Sequence, residues 1–247
     1  MIAIDGQTLT PMAVAEVAEG RSDVELEAKA RTRLEATAQD FAERGQVDVL
    51  RSKWKWLVGG EVPTTPDLAV RAFVESHCAG VGEPLSALEV WAMLVTRANA
   101  LACGVSGVRA QVVERLLDVV SRRWVPHVPS QGAVGAAGSI ALAHAARVVL
   151  GLGGTLAHGP DAPFAPLPDD WPVLEATEKE ALSLINGSSL TTGLAALAVV
   201  DADRVLAAAE AACALSMEAV RADRNLVDAA AAARRGHDGI AQVTERL

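Results

Sequence analysis

Residues 190–218 read LTTGLAALAVVDADRVLAAAEAACALSME. Alanine and leucine are strong helix formers, and no proline or strand-like alternation interrupts them. The apolar residues fall on every face instead of one stripe, so the stretch predicts a long helix buried on most faces. Such a helix must be wrapped, either by the rest of the chain or by other subunits. The small side chains of 194–214 permit close helix–helix approach. Self-association through 190–218, as a dimer or tetramer, is therefore expected.

Working outward, Asn186-Gly187 is a turn signal, and Thr177 to Leu184 has a helical pattern. Residues 155–173 hold five prolines and read as an irregular excursion. Before them, QGAVGAAGSIALAHAARVVLGLGG (131–154) is a glycine-rich loop running into a helix. Pro126 and Pro129 bound another irregular stretch. Helices are expected over 109–123, over 87–102 with Ser86 as N-cap, and from Pro66-Asp67 to about Cys78. Residues 45–67 read as irregular. Ser22 and Glu25 have capping-box spacing, which places a helix from there to about Phe41. Residues 2–20 read as a short strand or turn and then a short helix. The tail, 224–247, is amphipathic and helical, with a break near Gly236. Alternating strand patterns are nearly missing, so the expected fold class is mainly α.

The 247 residues carry 22 Lys and Arg against 31 Asp and Glu, a formal charge of −9. That balance argues against a nucleic-acid or anionic-membrane surface. Tyrosine is absent and aromatics make up 3%, which excludes any mechanism needing a tyrosine from this chain. Cys78, Cys103 and Cys213 are odd in number and far apart, as expected of reduced thiols in a cytoplasmic protein. The N-terminus, MIAIDGQTLT, lacks the basic then apolar run of a signal peptide. Residues 132–154 come nearest to a membrane span, but Arg147, His144 and six glycines spoil it. No His, Cys, Asp or Glu grouping has zinc spacing, so no metal is expected.

Four segments, in order, resemble the histidine/phenylalanine ammonia-lyase family. SHCAGVGEPL (76–85) is similar to the family's SH-x-x-GVG-x-PL, and RANALACGVSGVR (97–109) to its R-x-NAL-x-GYSGVR. PSQGAVGAAGSIALAH (129–144) resembles P-x-KGSVGASGDLAPLAH, and KEALSLINGSSLTTGLAAL (179–197) resembles KEGLALINGTQ with the helix that follows. The resemblance covers nearly the whole chain but only about the N-terminal half of a typical member. It implies a helical-bundle, truncated ammonia-lyase-like fold in one domain, with 1–60 as an N-terminal segment and 61–247 carrying the pocket and central-bundle helices. It also implies tetramers, and an electrophilic group, 4-methylidene-imidazol-5-one, made by cyclising an internal Ala-Ser-Gly whose serine loses water.

The matching triad here is Ala136-Ala137-Gly138. Alanine has no hydroxyl to eliminate, so the prosthetic group is expected to be absent and no other cofactor is implied. The family's tyrosine loop corresponds to KWKWLVGGEV (53–62), where Trp54 and Trp56 cannot act as bases because an indole N–H only donates. The family's second catalytic tyrosine and its carboxylate-binding arginine lie beyond this chain. Ser139 stands in place of the family's aspartate, and the proline of DLAPLAH is deleted.

Two pocket residues match. His77 corresponds to the family histidine facing the substrate side chain, and Asn186 to the asparagine near the prosthetic group. Histidine can give or take a proton near neutrality, although a histidine at a helix end can equally be a satisfied core residue. Gly135, Ala136, Ala137, Gly138 and Ser139 form a loop before a helix, where backbone N–H groups suit an anion; close packing of an inherited loop is the plainer account. His144 reads as a core or supporting residue. The expected function is thus a repurposed small-molecule-binding protein or enzyme of proton-transfer, cyclisation or addition type. The alternatives are a non-catalytic scaffold or regulatory pseudoenzyme, or one chain of a split complex whose separate partner resembles the missing half.

Overall fold

The structure, a computed structural model, describes residues 1–44, 65–133 and 137–247. Two compact units divide at Leu197/Ala198.

The first unit is organised around a helix that must be apolar on every side. In α4 (Ala87–Ala102), Val90, Trp91, Met93, Leu94, Ala98 and Leu101 are all buried, and so are its polar residues Thr96 and Arg97. Ser86 caps its start in a complete capping box with Glu89, satisfying two otherwise orphaned amides. Around it lie α1 (Pro11–Ala18) and α5 (Ala110–Ser121), the latter carrying Val112, Val113, Leu116 and Val120 on one face. The Trp91 indole reaches across to donate to the Trp124 carbonyl at 2.8 Å. Arg123 takes a positive φ of 55°, which non-glycine residues rarely adopt. Its guanidinium donates to the Val17 and Ala18 carbonyls at 2.8 and 2.7 Å, capping α1, and lies over the Trp91 ring.

Short strands tie the unit together. β1 (Ile2–Ile4) pairs in parallel with β2 (Val24–Leu26), Ile2 opposite Val24 and Ile4 opposite Leu26. This corrects the helix expected from Ser22. Val24 to Leu26 form a ladder with the N-terminus, Ser22 Oγ donates to Glu16 instead of capping, and α2 begins only at Ala28, ending at Glu43. Next, α3 (Pro66–Ser76) starts on a Thr65 cap with proline in its first turn. β3 (Val81–Pro84) pairs antiparallel with β5 (Pro129–Gln131), while β4 (Trp124–Pro126), β6 (Thr155–His158) and β7 (Ala165–Pro166) form an antiparallel sheet. α6 (Ser139–Val149) and α7 (Glu178–Ile185) pack together and against α3.

α8 (Ser189–Ala219) begins in this unit. Gly193 lies so close to α4 that a Cβ there would sit 2.8 Å from the Ala92 carbonyl carbon. From residue 198 onward the helix belongs to the second unit, with a 3-10 turn (Arg224–Val227), α9 (Ala229–Ala233) and α10 (Asp238–Arg246). There Arg246 grips Glu210 through two hydrogen bonds, at 2.8 and 2.6 Å. Burial on most faces, expected for 190–218, is not what the chain itself provides. Val199, Val205, Leu206 and Leu215 are exposed, and the helix buried all round is α4. Nor is 132–154 the run best suited to a membrane. Glu178–Ala219 is long and apolar enough to cross one by length and composition alone, at a mean hydropathy of 1.4. Within its most apolar window 44% is buried inside the protein.

Candidate functional site

His77 terminates α3, a helix whose inward face is Val70, Phe73 and Val74. Its Nδ1 stands 2.8 Å from the Phe73 carbonyl, and its ring packs on Phe73 at 4.6 Å between centroids. A carbonyl only accepts, so this contact is made with a proton on Nδ1; in the uncharged ring Nε2 then carries the lone pair. Ser76 Oγ is also near Nδ1, at 3.2 Å.

Three residues on, the Gly80 amide donates to His144 Nε2 at 3.2 Å. His144, from α6, therefore holds the loop that follows His77, in keeping with its reading as a supporting residue. Acceptance at Nε2 needs the uncharged ring. Desolvation depresses the His144 pKa, and the nearby charges of His127 and Arg147 depress it further. The chain then enters β3, whose pairing with β5 leads directly into the glycine-rich loop.

That loop ends at Gly138, the N-cap of α6, with Ser139 as the first helical residue and no side chain capping the helix. The Gly138 amide donates to the Gly187 carbonyl at 2.8 Å. Gly187 follows Asn186, the exposed C-cap residue of α7. The structure thus brings the end of the triad loop and the Asn186 turn together by one backbone bond. Ala137 is described; Gly135 and Ala136, and with them Trp54 and Trp56, lie outside the described residues.

Behind the turn are residues that the sequence reading did not single out. Glu180 is 2% exposed and accepts hydrogen bonds from the Arg109 amide, the Arg109 Nε and Nη2, and the Thr177 amide, at 2.8–3.0 Å. Burial alone raises its carboxyl pKa. The Arg109 side chain, the Thr177 and Arg109 amides and the Arg109 charge outweigh burial and hold it below the usual value. Arg97, 6% exposed, donates to the Leu184 and Asn186 carbonyls at 3.1 and 3.0 Å. Thr96 Oγ1 stands 2.9 Å from the Ser189 carbonyl and 2.8 and 3.0 Å from the Ala92 and Met93 carbonyls of its own helix, which share its one proton. The signals were present as the arginines at both ends of RANALACGVSGVR and the second glutamate of TEKE, but neither motif names its long-range partner. Among the described residues no group of three or more His, Cys, Asp or Glu could hold a metal.

The profile of the family described as aromatic amino acid lyase matches residues 63–247. The chain belongs to this family. A probable histidine ammonia-lyase of Halobacterium salinarum is 39% identical over 96% of this chain and 47% of its own length. The histidine ammonia-lyase of Anaeromyxobacter dehalogenans is 34% identical over 100% of this chain and 51% of its own. Among solved structures, histidine ammonia-lyase from Trypanosoma cruzi superposes with a TM-score of 0.85 at 30% identity, over 99% of this chain and 49% of that one. Tyrosine aminomutase from Streptomyces globisporus gives 0.84 at 29%, over 99% and 48%. The mainly α, ammonia-lyase-like fold and the match to the N-terminal half of the family are therefore established. The chain spans about half the length of the curated relatives it matches. Position 137, which the motif resemblance aligns with the middle of the lyase triad, is alanine, whose side chain ends in a methyl group.

Proposed function

We propose that this chain is a lyase-family protein that does not form the methylidene-imidazolone and binds a small amino-acid-like carboxylate at the site framed by His77, Asn186 and the 135–139 loop. The observation that carries the reading is the 2.8 Å bond from the Gly138 amide to the Gly187 carbonyl. The backbone that would frame a ligand is held, while the residue that cyclisation would consume is alanine. Ala137 supplies no hydroxyl to eliminate, so the residues present do not fit the prosthetic group. The helix dipole of α6 and its uncapped amides suit a carboxylate. His77, with Nε2 as a lone-pair nitrogen, can take a proton, which suits proton transfer, cyclisation or addition without an electrophilic group.

Two measurements test this. Intact mass should equal the sequence mass, with no loss of water. Calorimetric titration with L-histidine, L-phenylalanine and L-tyrosine, the amino acids named by relatives and structural neighbours, should give saturable binding of at least one. That binding should be lost in His77→Ala and Asn186→Ala, and no ammonia should be released. A mass deficit of water, or ammonia release by this chain alone, overturns the reading.

A second reading, a non-catalytic scaffold or regulatory subunit, has its own observation. Val199, Leu206, Cys213 and Val220 are exposed at seven-residue intervals along and just beyond α8, the spacing of a helix–helix seam. In either reading we propose a homo-oligomer, dimer or tetramer, through this helix, or pairing with a separate chain resembling the family's other half. Light scattering of the purified chain, with Leu206→Glu expected to dissociate any oligomer, checks the first arrangement. A monomer with a dry, saturable ligand site leaves the separate chain as the partner to seek.

A further inference from the structure

α4 places two consecutive residues on opposite sides of the Asn186 turn. Arg97 reaches the side before it, donating from Nε to the Leu184 carbonyl and from Nη2 to the Asn186 carbonyl. Thr96 reaches the side after it: its hydroxyl stands 2.9 Å from the Ser189 carbonyl at the start of α8, its one proton shared with the Ala92 and Met93 carbonyls of its own helix at 2.8 and 3.0 Å. Leu184 and Asn186 belong to the last turn of α7, where carbonyls lack helical partners and the dipole is negative. Among the described residues no carboxylate pairs with Arg97. A buried cation is costly without compensation, and here the end of α7 compensates it. Desolvation still draws the guanidinium down to about 10. Gly187 completes the fit, because a Cβ there would collide with Nη1 of Arg97. The Gly187 carbonyl in turn accepts the Gly138 amide, which Arg97 does not touch.

We infer that Thr96 and Arg97 are positioning residues: from one turn of the central helix they set the place of Asn186, and through Gly187 they set the end of the triad loop. This rests on the proposed site being a functional one, but its geometry can be tested without any ligand. The pair would govern whatever the site binds without touching it. A guanidinium suits the task because its rigid fork serves two carbonyls two residues apart, which a lysine ammonium on a flexible stem does less well.

The test is hydrogen exchange resolved to the Gly138 amide in the full chain. In Arg97→Met, exchange at Gly138 and across 184–190 should rise at least tenfold, while α5 stays protected. Arg97→Lys should restore less than half of the lost protection on a logarithmic scale. Gly187→Ala, which keeps Arg97 but expels its guanidinium, should produce the same change at Gly138. If Arg97→Met does not fold, Gly187→Ala and Thr96→Val carry the test. Gly138 protection within twofold of the parent in these variants, whatever happens to melting temperature, would reduce the pair to packing and overturn the inference. Loss of amino-acid binding with Gly138 protection unchanged would also overturn it. Increased exchange in a chain that binds none of the three amino acids would uphold the positioning and sink only the ligand reading.

Discussion

Replacing Glu180 with alanine removes the acceptor for every hydrogen bond that fastens Arg109, at the start of α5, to the start of α7. Three donors lose their partner, the Arg109 amide, the Arg109 Nε and the Thr177 amide, while Nη2 keeps the Glu175 carbonyl at 2.5 Å. Breaking a buried ion pair by deleting one member costs about 3–5 kcal/mol. The Arg109 side chain is 43% exposed against 2% for Glu180, so water can take back its donors, and the lower end, ~3 kcal/mol, applies. For a unit of this size that corresponds to a fall of ~6–12 °C in melting temperature. Urea unfolding followed by circular dichroism measures it, and a cycle with Arg109→Met isolates the pair. The pH dependence has a definite sign. The folded-state carboxyl is depressed below its ordinary 4.5, so the stabilisation is complete above about that pH and is lost as pH falls through the depressed value. Glu180→Gln should lack this acid limb. A cost of Glu180→Ala below ~1 kcal/mol, or strict additivity in the cycle, would refute the reasoning.

Other outcomes follow from single sites. Gly6 has a φ of +85°, and a Cβ there would sit 2.7 Å from the Ala102 carbonyl carbon. Gly6→Ala should therefore cost at least ~2 kcal/mol in urea unfolding, through backbone strain added to a clash with backbone. Desolvation, with Glu75 adding to it and Arg147 opposing it, raises the Cys78 thiol to about 11. At pH 8 only about one thousandth is thiolate, so Cys78 should react with a disulfide reagent at least ~100-fold more slowly than free cysteine in a stopped-flow assay. His144 accepts the Gly80 amide only when uncharged, and its folded value lies below the ordinary 6.5. Its contribution is thus present above 6.5 and lost as pH falls through the depressed value. Protection of the Gly80 amide, corrected for intrinsic exchange, should drop over that window and show no step in His144→Gln.

How far the sequence foretold this structure depends on where each residue's partner lies along the chain. Ser86 and Glu89 satisfy each other three residues apart, and the helix starts where their spacing says. Ser22 and Glu25 have the same spacing, but there a parallel ladder with Ile2–Ile4 wins, and nothing local announces it. The apolar run at 190–218 is a helix as read, yet the demand for wrapping is met within the chain only near its start, where Gly193 meets α4. His77, Asn186 and the triad loop were identifiable by resemblance. Arg97, Thr96 and Glu180 were not, because the bonds that tie them to distant elements span 71 to 93 residues.

Frame and chemistry separate in this molecule for a physical reason. The bonds that join the parts of the site use backbone at one end or both: the Gly138 amide to the Gly187 carbonyl, the Gly80 amide to His144, the Leu184 and Asn186 carbonyls to Arg97. The backbone ends of such bonds do not depend on which side chain stands at position 137, because the amide and carbonyl remain whatever side chain they carry. Reactive chemistry has no such protection, since one hydroxyl decides whether water can be eliminated. A loop can therefore keep its place in the fold after losing the group that reacted there. Ala137→Ser puts this in its sharpest form. The frame would accept the hydroxyl, and any catalysis would still lack a tyrosine base from this chain.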